Sequence, residues 1–349
     1  MSEEMPDRFP AAVVTGWNKV EVKEIPGFPI GPYDALCRIE ACSTCAATDN
    51  HLIDGSFPRE WFCEPPFVLG HESVGRVVEV GPKVRRFKKG QLVLRAWWSP
   101  PGGTVDGLGS AWGGFSTWGI ARDTRSFSQD TGNPVEAPYL NCMVVPEMPV
   151  SDATLFITWR DAMSCLLQAG AKAGDRIVVF GSGGNGLSFV RFATLLGAKV
   201  VMVGSPRRFD LAAKLGAVAC VDYRKGDSVV GAVREALGQG ADLAIEAVGT
   251  SGHSAQMIGS LAEKGKIFMF GIPDNLQFPA NLYSGPSEFT IVRKACDEWQ
   301  AHGHVLGYYL SGEIDPSDFL NGEVPLERVG EALDAVKRRD AIKIAVRMG

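Results

Sequence analysis

The chain has 349 residues, 45% apolar and 21% charged. This excludes a disordered polypeptide and is more than one ordinary core encloses, so two domains are expected. Its 35 basic and 40 acidic residues leave a net charge of −5, which gives no footprint for nucleic acid or an anionic membrane. There is no apolar run of transmembrane length, and the MSEEMPDRF start lacks the apolar core of a secretory signal, so a cytoplasmic protein is expected.

Residues 1 to about 150 alternate short apolar runs with glycine and proline. Ala11–Val14, Ala35–Glu40, Ser73–Val80 and Gln91–Leu94 read as strands. Turn signals separate them at Pro26-Gly27, Gly31-Pro32, Gly81-Pro82 and Pro100–Gly103. From Ala162 onward the texture changes to alternating strand and helix. Arg176–Phe180, Lys199–Val203, Asp242–Glu246 and Lys266–Phe270 read as strands. Asn185–Leu196, Phe209–Leu215 and a stretch near Gly252–Ala262 read as helices. Repeated βαβ units imply a parallel, doubly wound sheet. The tail reads as an amphipathic helix over Leu326–Val336 and a strand over Ala341–Val346 that returns to the first domain. The eight cysteines are Cys37, Cys42, Cys45, Cys63, Cys142, Cys165, Cys220 and Cys296. In a chain of this size without an export signal they read as thiols or metal ligands rather than a disulfide framework.

Two features carry chemistry. The first is Gly181-Ser-Gly-Gly-Asn-Gly186, which follows a hydrophobic strand at once and opens a helix. Gly181 permits the tight turn, Gly183 lets backbone approach a pyrophosphate, and Gly186 lets helix and strand pack closely. Gly184 and Asn185 complete this dinucleotide cradle. The following strand ends in Gly204, Ser205, Pro206, Arg207 and Arg208, where NAD sites place an acid that holds the ribose hydroxyls. No carboxylate stands there, and Asp210 is too far along. An arginine fork binds a 2′-phosphate, so NADP(H) is expected, with NAD(H) as the second choice.

The second feature is Cys45, followed 26 residues later by His71 and Glu72. A thiolate and an imidazole are ligand types that zinc prefers, and a catalytic site needs a third protein ligand. Asp161, at the junction of the two textures, is the expected third ligand. Glu72 is the alternative, as a ligand or as a base beside the site.

On these residues the chain resembles the zinc-dependent medium-chain dehydrogenases, the alcohol, sorbitol and threonine dehydrogenase superfamily. The signposts are Cys45 with Thr48-Asp49, Gly70-His71-Glu72 with Gly75, Val80-Gly81 and Gly113–Ser116. They continue through Lys172–Asp175, Gly181–Gly186, Leu215–Ala217 and Ala247–Gly249. The resemblance implies an α/β protein with a GroES-like β-rich catalytic domain, residues 1–152 and 293–349, and a Rossmann domain of doubly wound parallel sheet, residues 153–292. It further implies that Cys45 and His71 hold a catalytic zinc and that Glu72 can approach the metal. Asp161 falls where secondary-alcohol dehydrogenases of the family place an aspartate ligand. Thr48 resembles the hydroxyl that takes the substrate proton, and His51 the outer relay histidine. Ser205 and the nearby arginines are similar to the NADP-binding turn of those enzymes, and Val248 and Gly271 are implied as further cofactor contacts. The interval from Cys45 to Asp49 is one residue longer than the family's common form. Residues 95–112 contain no cysteine, so the four-cysteine lobe for a structural zinc is missing and one zinc per chain is expected.

The implied reaction moves a hydride between NADP(H) and an alcohol whose oxygen the zinc polarises. Phe57, Trp61, Trp97, Trp98, Trp112 and Trp118 either line a cleft for a sugar or cyclic substrate or fill a β core. A polyol, sugar or secondary alcohol is favoured. His302 and His304 read as surface residues. The expected partners are this small-molecule alcohol or carbonyl and a second copy of the chain, as homodimer or homotetramer. The rival readings are a zinc-independent quinone or enoyl reductase on the same fold and a non-catalytic NADPH-binding protein. The paired Cys45 and His71 argue against both.

Overall fold

A computed structural model describes residues 4–57, 64–99, 103–134, 142–271, 278–279 and 281–349. Trp61 and Cys63 lie outside the described residues. The amino-terminal run forms β1 (Arg8–Gly16), β2 (Lys19–Pro26), β3 (Asp34–Ser43), α1 (Thr48–Asp54), β4 (Phe67–Val68) and β5 (Glu72–Val80). It continues through β6 (Leu92–Leu94), β7 (Thr104–Val105), β8 (Leu108–Ser110), β9 (Trp118–Arg122), α2 (Thr124–Thr131), β10 (Met143–Val145) and α3 (Val150–Ala169). Strand and helix then alternate: β11 (Arg176–Phe180), α4 (Gly184–Leu195), β12 (Lys199–Gly204), α5 (Phe209–Lys214), β13 (Ala219–Asp222) and α6 (Ser228–Leu237). After these come β14 (Ala241–Glu246), α7 (Ser254–Ser260), β15 (Leu261–Met269), β16 (Phe289–Val292) and α8 (Glu298–Leu310). The chain ends with β17 (Leu320–Pro325), α9 (Val329–Lys337) and β18 (Lys343–Arg347).

The chain divides into two compact units, Met1–Ile157 with Pro316–Gly349, and Thr158–Asp315. The first is β-rich. Its larger sheet runs β10-β6-β5-β3-β18-β17, with β9 also pairing β3. The expected return of the tail is met by β18, which pairs antiparallel with β3 through Ala345–Ser43 and Arg347–Ala41. Val329, Ala332, Leu333 and Val336 form the buried stripe of α9, at the spacing of an amphipathic helix.

The second unit carries a parallel sheet in the order β13-β12-β11-β14-β15-β16. Numbered from its first strand this is 3-2-1-4-5-6, the doubly wound order of dinucleotide-binding folds. Ile177–Phe180 and Val200–Val203 are buried throughout, as strands covered on both faces require. On α6, Val229, Val233 and Leu237 pack into the core of the sheet beside Met257 and Ile258 of α7.

The units divide after Asp315 rather than at the expected 292, so residues 293–315 group with the parallel sheet. Contacts explain the difference. Glu298 of α8 pairs with Arg160 at 2.6 Å, Tyr308 packs 6.3 Å from Phe192 of α4, and Arg191 donates to the Glu313 carbonyl at 3.0 Å. His302, read from sequence as a surface residue, is buried on α8, and His304 is exposed. Phe57, Trp97, Trp98 and Trp118 are buried, and Trp112 is half-buried.

Candidate functional site

Strand pairing assembles the metal-ligand group of the first unit. Ser43 at the end of β3 lies opposite Glu72 at the start of β5. Cys45, two residues past Ser43, and His71, one residue before Glu72, therefore emerge at the same sheet end. The pairing of Ser43 with Ala345, continued by two residues, sets Lys343 opposite Cys45. The Cys45, His71 and Glu72 ligand atoms lie within 4.8 Å of one another, and all three residues are buried.

Each ligand is oriented by a neighbour. Asp49, in the first turn of α1, accepts the Cys45 backbone N–H through Oδ2 at 2.8 Å. Its Oδ1 lies 3.2 Å from His71 Nδ1, and both atoms are buried with no other hydrogen-bond partner among the described residues. The imidazole is thereby turned so that Nε2 faces the group, as in carboxylate–histidine–metal arrangements. Glu72 Oε1 stands 3.9 Å from that Nε2. Its Oε2 accepts from the Ser43 hydroxyl at 2.5 Å and from the Lys343 ammonium. Lys343 also donates to the Thr44 carbonyl at 3.3 Å. Arg95 donates to the His71 carbonyl at 3.1 Å.

Electrostatics follow from this packing. Burial alone would raise the Cys45 thiol, but the hydrogen bond and charge of His71 outweigh it and hold it below the ordinary thiol value. Burial alone would lower His71, but Asp49 and Cys45 outweigh it and push the imidazole up to about 10. Each of the two groups thus favours the charged form of the other, negative on the Cys45 sulfur and positive on the His71 ring. A cation held between that sulfur and nitrogen satisfies both. The donor set, one S, one N and one carboxylate O, fits zinc.

In the second unit the glycine turn has the expected geometry. Gly181 has φ +130°, and a Cβ on Gly186 would stand 2.2 Å from the Gly181 carbonyl oxygen. Gly183, in extended backbone, caps α4 and has open space where a side chain would be. Gly184 and Asn185 open α4, so the backbone N–H groups of its first turn face an incoming anion. The Ser182 hydroxyl accepts the Ser205 N–H at 3.0 Å, which fixes the end of β12 to the turn. Arg207 is exposed, and Arg208 is half-buried beside it. Burial first, and the Arg207 charge second, lower the Arg208 pKa. An anion bound there relieves the repulsion between these two cations.

Two family models match the chain: the alcohol dehydrogenase GroES-like domain over residues 31–128 and the zinc-binding dehydrogenase model over residues 184–293. The chain belongs to the zinc-type medium-chain dehydrogenase/reductase superfamily. An alcohol dehydrogenase of Cupriavidus necator is 25% identical over 366 residues, covering 97% of this chain and 98% of the relative. An NADP-dependent isopropanol dehydrogenase of Entamoeba histolytica is 27% identical, covering 95% of this chain and 93% of the relative. The crystal structure of benzyl alcohol dehydrogenase from Acinetobacter calcoaceticus shares the fold, with a TM-score of 0.82 at 19% identity over 99% of this chain and 100% of that one. Membership makes the chain an oxidoreductase of this superfamily.

Against this superfamily background the remaining site residues separate clearly. Thr48 opens α1 half-buried. His51, one turn on, meets the Ser56 hydroxyl at 2.6 Å through Nδ1, and that hydroxyl donates to Asp54 Oδ1 at 2.5 Å. This chain of polar atoms leads outward from α1. Asp161 lies half-buried on α3 in the second unit, whereas Cys45, His71 and Glu72 all belong to the first. Val248 and Gly271 are brought together by a residue that sequence reading overlooked. Glu246, buried at the end of β14, accepts the Val248 and Gly249 N–H groups at 2.8 Å each, and its carbonyl accepts the Gly271 N–H at 3.0 Å. Asp49, Ser43 and Lys343 were overlooked as supports of the metal ligands. The Cys45-x-x-x-Asp49 spacing was a usable signal for Asp49. Lys343, 271 residues from Glu72, left none.

Proposed function

We propose that the protein is a zinc-dependent dehydrogenase passing a hydride between NADP(H) and a secondary alcohol, polyol or sugar-type substrate. The buried Cys45–His71–Glu72 donor group, with Asp49 behind the imidazole, carries this reading. Zinc held there supplies Lewis acidity toward the substrate oxygen. Cys45 and His71 are its first two ligands. Glu72 and Asp161 are the candidates for the third, and one zinc per chain is proposed. Asp49 keeps His71 in the tautomer that presents Nε2. Thr48 receives the hydroxyl proton and His51 passes it outward by Ser56 and Asp54. The turn over Gly181–Gly186 holds the pyrophosphate on the α4 N-terminus. Arg207 and Arg208 take the 2′-phosphate, consistent with the NADP named for the E. histolytica relative.

We also infer a cytoplasmic homodimer or homotetramer, in which β16, the edge strand of the parallel sheet, meets its copy. Ile291 of that strand is 42% exposed and the nearby Tyr283 98% exposed. Sedimentation of the protein as a monomer at micromolar concentration would overturn this inference.

The reading is tested by zinc quantitation together with an NADP-linked screen of secondary alcohols and polyols. One zinc per chain and NADP-dependent turnover are expected. Two tightly bound zincs would refute the count, and a preference for NAD above tenfold would refute the cofactor reading. Cys45→Ser should abolish turnover and leave NADPH binding intact; full activity in that variant defeats the zinc mechanism. Loss of zinc in Asp161→Asn assigns the third position to Asp161, and retention assigns it to Glu72.

A further inference from the structure

We propose that Cys165 and Cys296 are an oxidative modification site, closing to a reversible disulfide when the protein meets a hydroperoxide. The two sulfurs lie 3.7 Å apart within the second unit. A disulfide needs about 2.05 Å, so a side-chain rotation with a small shift of the irregular segment before α8 suffices.

The backbone stretches carrying the two thiols are stitched together on both sides of the pair. Toward the start of α3, Arg160 bonds Glu298 at 2.6 Å with both side chains buried. Toward its end, the Gln168 side chain donates to the Ala295 carbonyl at 3.0 Å. Residues 160, 165 and 168 of one helix thus face residues 295–298 of one segment. The thiols are held in register by contacts that do not involve sulfur.

The two cysteines are not equivalent, and the difference assigns their roles. Cys165 is fully buried and Cys296 is half-buried. Cys296 follows Arg293 and Lys294 and sits one residue before the N-cap of the 13-residue helix α8. The Asp297 carboxylate is turned to that helix, accepting the Gln300 N–H at 3.2 Å. A hydroperoxide reaches the half-buried Cys296 sulfur and not the fully buried Cys165, and a helix N-terminus stabilises negative charge on a nearby sulfur. Cys296 is therefore the attacking residue and Cys165 the resolving one, the arrangement of redox-sensing pairs.

The step balances with a hydroperoxide as the oxidant. The Cys296 thiolate attacks the terminal peroxide oxygen, the O–O bond breaks, and the alkoxide or hydroxide leaves and takes a proton from solvent. Cys296 is then a sulfenic acid. The Cys165 sulfur attacks the Cys296 sulfur, the S–S bond forms, the S–O bond breaks, and the thiol proton leaves with hydroxide as water. Two thiols lose two electrons and the peroxide gains them. A dithiol reductant reverses the modification.

The cross-link has a defined structural consequence. Every strand of the parallel sheet, β11 to β16, lies between Cys165 and Cys296 in the chain. The bond thus ties the two ends of the nucleotide-binding sheet region and restricts its unfolded ensemble.

The test uses the full-length, zinc-loaded protein treated with hydrogen peroxide, followed by alkylation and non-reducing peptide mapping. A Cys165–Cys296 linked peptide that dithiothreitol dissolves is expected. In scanning calorimetry, the oxidised protein should unfold about 5–15 °C higher in its stabilised transition. Cys296→Ser, at a half-buried position, should lose both the peptide and the rise. Cys165→Ala should stop at a Cys296 sulfenic acid that dimedone traps. The proposal is overturned if wild-type Cys296 proceeds to sulfinic acid without the linked peptide, or if the rise persists in Cys296→Ser. None of these readouts depends on substrate or turnover.

Discussion

Replacing Lys343 with methionine strips one buried carboxylate of its counter-charge. The Lys343 and Glu72 side chains are 4% and 3% exposed, so neither charge is screened by water. In the variant Glu72 keeps the Ser43 hydroxyl at 2.5 Å but loses the ammonium. Removing one partner of a buried pair costs about 3–5 kcal/mol, roughly 10²- to 10⁴-fold in the folding equilibrium. The pH dependence has a definite sign. Burial alone raises Glu72, but the Lys343 charge leads a set of contacts that outweighs burial and leaves its pKa below the ordinary value. A depressed carboxylate contributes stability above its unfolded pKa of about 4.3 and loses it as pH falls through the folded value. The deficit of Lys343→Met is therefore largest near neutrality and shrinks in acid, where a protonated Glu72 needs no counter-charge. Urea unfolding of the chelator-treated protein, followed by tryptophan fluorescence from pH 4 to 8, measures it. Glu72→Gln combined with Lys343→Met removes both charges and should recover most of the loss. A single variant within about 1 kcal/mol of the parent at pH 7, or a double variant no more stable than the single, would refute this account.

Substituting Arg207 and Arg208 together with alanine should raise the KM for NADP about 10- to 100-fold and leave that for NAD unchanged; equal losses for both would remove the arginines from the 2′-phosphate. Burial, opposed by backbone N–H bonds from Gly249 and Val248, holds the Glu246 pKa above the ordinary value. Its contribution to stability is full below the unfolded pKa and is lost as pH rises through the folded one. Glu246→Gln keeps an oxygen acceptor and cannot ionise, so its stability relative to the parent should rise between pH 5 and 8; a gap constant with pH argues against a buried titrating carboxyl. Trp112 sits at φ +65° with its ring 5.4 Å from His71 and 6.3 Å from Trp97. Both Trp112→Gly and Trp112→Ala lose the ring contacts, but glycine adopts this backbone freely, so Gly should be the more stable by about 1 kcal/mol in thermal unfolding. The reverse order would show that no left-handed strain is held there.

Legibility of the fold in the sequence tracked local pattern. Arg176–Phe180 and Lys199–Val203 were visible as strands because a strand buried on both faces is a continuous apolar run between breakers. The helix α3 gives no sequence signal, since Val150–Ala169 is buried almost all round and so lacks an amphipathic stripe. On α6 the buried stripe of Val229, Val233 and Leu237 is present in the sequence at helical spacing. His302 was misplaced because a polar residue on a helix gives no sign of which face the helix buries.

What the sequence by itself determined is chemistry carried by adjacent residues. The Gly181–Gly186 turn declares itself because strand, glycines and helix are contiguous, and turn geometry is a local property of the backbone. The types of the metal donors, a thiol, an imidazole and a carboxylate, were readable at Cys45, His71 and Glu72. Tertiary structure alone decided how those donors are held and charged. Asp49 behind His71, and Ser43 and Lys343 on Glu72, depend on the register of β3 with β5 and β18. The Cys165–Cys296 pair depends on α3 lying against the start of α8. Strand register and helix packing join residues far apart in the chain, 271 positions for Glu72 and Lys343 and 131 for Cys165 and Cys296, and burial at those junctions sets their charge; beyond the Cys45–Asp49 spacing, neither has a signature in local sequence.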